Sequence, residues 1–354
     1  MAKVKKSTVL KRRESTKDFR KKTGRDTVEK MLEEARLQLL DEKGDIKKEL
    51  LRDVVCEVCG TRPTRSTFLF RKDAFEYHKC KKCSLLYMHP QLIEEKVVEH
   101  YKEDAAVDAW VDVLTSSSQF SYDSVKFDTR LAAMEKYVQP GNLLDIGCSI
   151  GHFLKVGKER GWKPYGLEFN DRAVAYAKEK FKIRTIQKVM LDEAGYPDNY
   201  FSGIGLWGVL EHLARPREIL REMKRILTPG GVVVISVPSA GSLAVRVIRQ
   251  LASCFNGVGG HLWFFSAETL PRLLEEEGYE ILEVGSEQPE LDTVWNYLNF
   301  EHPYEGNARF PFGEAARNIV ERFILEHTYG YKLVVLARKP TGSHAEKKKN
   351  GSTE

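Results

Sequence analysis

Residues 143–154 read Leu-Leu-Asp-Ile-Gly-Cys-Ser-Ile-Gly-His-Phe-Leu, and this stretch decides the fold. Leu143, Leu144, Asp145 and Ile146 have the pattern of a short buried strand. Gly147 and Gly151 let the backbone turn tightly, and Phe153 with Leu154 opens an amphipathic helix. Such a turn sets bare amide groups and a helix N-terminus beside a ligand at the carboxyl end of a parallel strand. A dinucleotide-binding turn would need Gly-x-Gly-x-x-Gly, but Ser149 and His152 stand where its second and third glycines belong. With Asp145 just before the turn, the expected ligand is cationic at that end rather than a pyrophosphate.

Outward from this turn, residues 164–167 read as a second strand ending in Glu168, about twenty residues after the first turn, where a carboxylate accepts the ribose hydroxyls of an adenosine. Asn170 and Asp171 can cap a helix over 172–181, and a weak strand follows at 183–186. Residues 201–213 read FSGIGLWGVLEHL, an apolar strand at 204–207 with Glu211 and His212 straight after it. A helix over 216–227 is stopped by Thr228-Pro229-Gly230-Gly231, and 232–237 is an apolar, β-branched central strand. A helix at 267–277 and strands at 281–284 and 331–337 close the pattern. The alternation predicts an α/β fold: a doubly wound, mostly parallel seven-stranded sheet with helices on both faces.

Asp145-x-Gly147-x-x-x-Gly151, Glu168, Glu211-His212-Leu213 and the helix–Pro229-Gly230-Gly231–strand unit together resemble class I S-adenosylmethionine-dependent methyltransferases. The likeness runs through residues 142–238 and is to the small-molecule type, similar to ubiquinone-pathway O-methyltransferases. It implies a Rossmann-like methyltransferase fold with an antiparallel hairpin edge, and S-adenosyl-L-methionine as cofactor. The cofactor residues it implies are Asp145 (through its carboxylate or a water), Gly147, Cys148 and Gly151 in the turn, Glu168 on the ribose, Leu191 within the adenine loop Met190-Leu191-Asp192, and Trp207 with Gly208 beside the methionine portion. A hydroxyl acceptor must lose its proton, so a base near neutral pKa assists. His261, in the aromatic-flanked run Gly259-Gly260-His261-Leu262-Trp263-Phe264-Phe265, is the first candidate for that role. His212 is the second.

Cys56-Glu57-Val58-Cys59 and Cys80-Lys81-Lys82-Cys83 make two knuckles about twenty residues apart, the spacing of a tetrahedral Zn²⁺ site. Four thiolates leave no open position, so this Zn²⁺ is expected to be structural. Gly60 suits the first knuckle, and the stretch between the pairs alternates like a small zinc ribbon. With the following Leu85-Leu86-Tyr87-Met88-His89-Pro90 and a helix to Tyr101, it resembles an N-terminal module of many bacterial methyltransferases acting on sugars, surface polysaccharides or other small metabolites.

The 354 residues, 42% hydrophobic and 30% charged, suit one large α/β domain with appendages. No stretch approaches the ~20 apolar residues of a membrane span, and no signal-peptide pattern opens the chain, so a cytoplasmic protein is expected. The net charge of +5 concentrates near the start, with Lys347, Lys348 and Lys349 near the end.

The expected organisation is a basic disordered tail over 1–25, an amphipathic helix within 26–50 opened by an Asp26/Glu29 capping box, the ribbon at 51–92 and a helical linker or substrate cap at 93–140. The methyltransferase domain follows at 141–340, with substrate-covering insertions at 239–265 and 286–328, and a second disordered tail at 341–354. Residues 242–255 are expected as a lid helix that offers a weaker route to peripheral membrane contact. Trp295, Tyr297, Phe300, Phe310 and Phe312 are expected as walls of the acceptor site.

The function expected is methyl transfer to a hydroxyl of a small molecule or a sugar or surface-polysaccharide precursor, by in-line displacement. The alternative is RNA modification, with the ribbon and basic tail gripping phosphates. Against it, the strand at 204–207 lacks the Asn-Pro-Pro-aromatic run expected for methylating base amino groups.

Overall fold

The computed structural model describes residues 5–6, 16–103, 105–257 and 260–342. Seven strands form the central sheet in the spatial order Glu280–Glu287, Lys332–Arg338, Leu227–Pro238, Phe201–Trp207, Asn142–Ile146, Lys163–Leu167 and Ile186–Gln187. The pair Lys5–Lys6 adds a short eighth strand on the outer edge, parallel to Glu280–Glu287. Lys332–Arg338 runs antiparallel to both of its neighbours, whereas the strands from Leu227–Pro238 to Ile186–Gln187 are parallel. The order reverses at Asn142–Ile146, and a doubly wound sheet opens its ligand crevice at the carboxyl ends beside such a reversal. Val232, Val233, Val234 and Ile235 are fully buried because this strand is covered on both faces.

Two helices follow the first two parallel strands as their caps dictate. His152–Glu159 starts from Gly151 at φ +73°, and Asp171–Lys180 starts from Asn170, whose side chain accepts from the amide of Ala173 at 2.8 Å. A Cβ on Gly151 would stand 2.9 Å from Cβ of Ala177. Gly151→Ala combines left-handed strain with this overpacking, so stability should fall by about 2–3 kcal/mol. Denaturant unfolding with an unchanged midpoint would contradict that account.

The cysteine module is continuous with this body. Strands Ser66–Lys72, Phe75–Cys80 and Leu86–Met88 form an antiparallel ribbon, and Trp263–Phe264, from the insertion after the central strand, adds a fourth strand against Leu86 and Tyr87. Phe255 and Phe264 pack their rings onto Phe70 and Tyr77 at 5.0–5.4 Å. From the helix Pro216–Ile226, the Arg217 guanidinium donates to the carbonyls of Glu57 and Val58 in the first knuckle.

Several expectations are corrected. Within the supposed disordered tail, Thr16–Thr23 is a helix whose Phe19 is buried, because that ring meets Tyr122 and the guanidinium of Arg25. Residues 1–4 and 7–15 of that tail, and 343–354 of the other, lie outside the described residues. The next helix, Arg25–Gln38, has no side-chain cap, since Asp26 and Glu29 both pair with Arg20 instead. The lid helix shrinks to Leu243–Ile248 with a short 3-10 turn. Its Ala244, Val245 and Ile248 face the core rather than a membrane, and no helix among the described residues is long and apolar enough to cross one. Trp295, Phe310 and Phe312 stack on one another instead of walling the cavity, and Phe300 is fully exposed.

Candidate active site

One cavity of about 540 Å³ opens at the carboxyl ends of the parallel strands. Its inner end is built from the turn read first in the sequence. Gly147 adopts φ +69°, and a Cβ there would lie 2.7 Å from Cγ2 of Val209, so only glycine fits. Asp145 is buried, and its Oδ1 has no hydrogen-bond partner among the described residues. Burial, then the charge of Glu168, pushes its carboxyl well above the ordinary range, with Lys126 opposing.

Glu168 follows the second strand. Its two oxygens accept from the amides of Ser149 and Asn170, each at 2.8 Å, which turns the carboxylate toward the cavity. Burial raises its pKa, while these amides hold it down. Each oxygen keeps a further lone pair for a ligand hydroxyl.

Val189, Met190 and Leu191 line the cavity, whereas Asp192 does not. Trp207 lines the cavity with Nε1 unpartnered among the described residues, its ring against Phe127 and Phe153 and within 5.5 Å of Nζ of Lys126. Cys148 lines the cavity from the turn, with its thiol packed behind it. Its Sγ sits 2.6 Å from where a Cβ on Gly166 would be, so the thiol fills the space that glycine leaves open. Its amide donates to the carbonyl of Leu167 and its own carbonyl accepts from Gly151.

The other end is polar and sequestered. Glu211 is 1% exposed, and neither carboxylate oxygen has a hydrogen-bond partner among the described residues. Burial drives its pKa up to about 7 despite the charge of Lys332. The rings of His212 and His261 lie 4.5 Å apart. His261 Nδ1 is 2.7 Å from the carbonyl of Cys254, which fixes the tautomer and makes Nε2 the lone-pair nitrogen. Its pKa is pushed down to about 4 by burial, so the ring is neutral at physiological pH. Gly208 divides the two ends. A Cβ on it would meet Oε1 of Glu211 at 3.6 Å and Nζ of Lys332 at 4.0 Å.

The cavity's cover is contributed largely by the N-terminal helices, through Val28, Leu32, Trp110, Val111 and Tyr122, while the 286–328 insertion supplies Glu287 and Gln288. The structure thus brings Asp145, Gly147, Cys148, Glu168, Leu191, Trp207, Gly208, His212 and His261 into one cavity, whereas Gly151 stands behind the turn as the N-cap of its helix and does not line it. Sequence reasoning missed Lys126, Lys332 and Glu211 as site residues. For Glu211 a signal was present, since it precedes His212 at the end of a strand. Lys332 lies 121 residues after Glu211, on an antiparallel strand that only the sheet order brings alongside.

At the ribbon, Sγ of Cys56 is 3.3 Å from that of Cys83, and Sγ of Cys59 is 3.5 Å from that of Cys80. All four sulfurs lie within 4.8 Å of one another. Zn–S bonds of ~2.3 Å in a tetrahedron need sulfurs somewhat under 4 Å apart, so this donor set fits the ion.

Residues 122–284 match a protein family described as methyltransferase domain. A probable S-adenosylmethionine-dependent methyltransferase of Mycolicibacterium smegmatis is 25% identical over 140 residues, covering 40% of this chain and 52% of that protein. A malonyl-[acyl-carrier protein] O-methyltransferase of Serratia marcescens is 31% identical over 127 residues, covering 34% and 46%. The chain therefore spans about half the length of these curated relatives. A solved S-adenosylmethionine-dependent methyltransferase from Archaeoglobus fulgidus is 21% identical with a TM-score of 0.43, covering 61% of this chain and 94% of that one. The acidic cradle of Asp145 and Glu168 at adjacent strand ends, the glycine turn between them and the family match over the same residues converge on one conclusion: the chain carries a methyltransferase domain of the class I, S-adenosylmethionine-dependent type.

Proposed function

We propose that this protein methylates a hydroxyl of a small-molecule or sugar-type acceptor, and that Zn²⁺ held by Cys56, Cys59, Cys80 and Cys83 keeps its ribbon folded. The observation that carries the reading is the single cavity with a carboxylate cradle at one end and the Glu211–His212–His261 group at the other.

Bound S-adenosylmethionine supplies a methyl group on a positively charged sulfur. Glu168 binds the ribose hydroxyls, and Asp145 offers its unpartnered oxygen to the positively charged end. The Gly147–Gly151 turn admits the ligand to backbone distance. The apolar cover from Val28, Leu32 and Trp110 excludes water. Alignment of nucleophile, methyl and sulfur is the chief contribution, and effects of this type reach roughly 7–11 kcal/mol. At the far end, the lone-pair Nε2 of His261 with the carboxylate of Glu211 positions the acceptor oxygen and draws off its proton. The oxygen lone pair forms the new bond to carbon as the carbon–sulfur bond breaks onto sulfur.

Of the ribbon's basic residues Arg62, Arg65, Arg71 and Lys72, two are less available to an RNA acceptor. Arg71 pairs with Asp45, and Lys72 donates to the carbonyl of Ala252, so both are engaged within the chain.

Incubating the full chain with methyl-labelled S-adenosylmethionine and a metabolite extract should label a small hydroxyl compound. Label entering only RNA would overturn the acceptor assignment. With the acceptor in hand, His261→Ala should lower kcat by about a hundredfold, the scale of lost proton transfer, with donor affinity unchanged. Full turnover in that variant would reduce His261 to a loop anchor.

A further inference from the structure

The acceptor end of the cavity has the donor set of a metal site distinct from the ribbon. Glu211, His212 and His261 each offer one ligand atom, and these atoms lie within 4.8 Å of one another. Nε2 of His212 is 4.0 Å from Oε1 of Glu211, too long for a good hydrogen bond and suited to two ligands flanking one ion.

Two independent features point to a cation as the ligand of this trio. The first is the carboxylate of Glu211, which is almost completely buried yet has no hydrogen bond among the described residues. A buried charge of this kind is costly unless paired or bound to a metal. Lys332 is close enough to act electrostatically, but it forms no ion pair with Glu211 within 4.0 Å among the described residues. The second is the set of His261, whose Nδ1 is engaged by the carbonyl of Cys254, leaving Nε2 as the lone-pair nitrogen. Metal-binding histidines are oriented in this way by a backbone carbonyl.

Hydrogen bonds tie the two ligand-bearing segments together. The amide of Leu262 donates to the carbonyl of Glu211 at 2.9 Å, and the Trp263 indole donates to the carbonyl of Leu213 at 2.9 Å. The two ligand-bearing segments are therefore laced together on either side of the trio, and Trp263 is anchored in turn to the ribbon sheet.

We propose that Glu211, His212 and His261 bind a divalent first-row transition ion, of the series from Mn²⁺ to Zn²⁺, whose open positions face the cavity and take the acceptor oxygen. Two imidazoles and one carboxylate form an oxygen- and nitrogen-donor set that suits these ions and leaves coordination positions free. The inference rests on the acceptor-end reading above and specifies how that end acts. An acceptor hydroxyl bound to the ion gives up its proton to water nearer neutral pH. Its lone pair then takes the methyl carbon, and the carbon–sulfur electrons remain on sulfur. The acceptors favoured are those with two adjacent oxygens, such as a vicinal diol or catechol, which can chelate the ion. No change of metal oxidation state is involved.

The test is Mn²⁺ titration of the full-length, zinc-loaded protein followed by electron paramagnetic resonance, because Mn²⁺ prefers oxygen and nitrogen donors to the four thiolates. One Mn²⁺ per chain is expected, with spin-echo modulation from imidazole nitrogen in the unmodified protein. Glu211→Gln and His261→Gln should each weaken it by at least about tenfold, while Glu168→Ala should leave it unchanged and lose donor affinity. If Mn²⁺ stays free and total zinc is one per chain, or if bound Mn²⁺ shows no nitrogen coupling and ignores both substitutions, the metal site is overturned. Donor binding and labelled transfer in that same sample would leave the bare-histidine mechanism standing, so the two readings fail separately.

Discussion

Glu168→Ala should weaken S-adenosylmethionine binding by about a hundredfold or more. Two ribose hydroxyls donating to one charged carboxylate contribute ~1.5–3 kcal/mol each, and the substitution removes both. It also strips the amides of Ser149 and Asn170 of their acceptor, which loosens the turn beneath the ligand. Calorimetry with S-adenosylmethionine reads the loss directly. The expected companion is a normal unfolding midpoint for Glu168→Gln, whose carbonyl oxygen still accepts one amide. Affinity within threefold of the parent in Glu168→Ala would remove the ribose assignment, and with it the orientation of the donor in the cavity.

The second large effect lies far from the donor. A Cys56→Ser/Cys80→Ser chain should contain no ribbon zinc, and residues 51–92 should become protease-sensitive. Structural Zn²⁺ contributes ~10–16 kcal/mol in small modules, more than so small a ribbon can replace by burial. The damage should travel. Leu86–Met88 holds Trp263–Phe264 in register, and the residue two before Trp263 is His261. Methyl transfer should therefore drop by at least about a hundredfold, while donor affinity, set by Asp145 and Glu168 in the sheet, changes little. An active, metal-free chain would end both the zinc assignment and the claim that the ribbon supports the acceptor site.

How much was legible beforehand depended on the range of the interactions concerned. Asn142–Ile146, Gly151, Glu168 and the Asn170 cap were readable because strand pattern, glycine turn and helix cap are neighbours in sequence. The clustering of the four cysteines was readable because they come in two short, spaced pairs. The aromatic residues near 295–312 were misjudged as cavity walls, since aromaticity reports burial and stacking but not the direction of the stack. The helix Thr16–Thr23 was hidden in a basic run, where the charges outweighed the single ring of Phe19 that docks it.

Amino-acid order alone determined the parallel sheet, the carboxylates and glycine turn at its strand ends, and the thiol cluster, because each is written by local periodicity or spacing. Tertiary structure decided that the ribbon shares a sheet with the catalytic body, that N-terminal helices cover the cavity, and that Glu211, His212, His261 and Lys332 meet. Those outcomes depend on which distant surfaces exclude water together. Pairings across fifty residues or more leave no period in the chain from which they could be read.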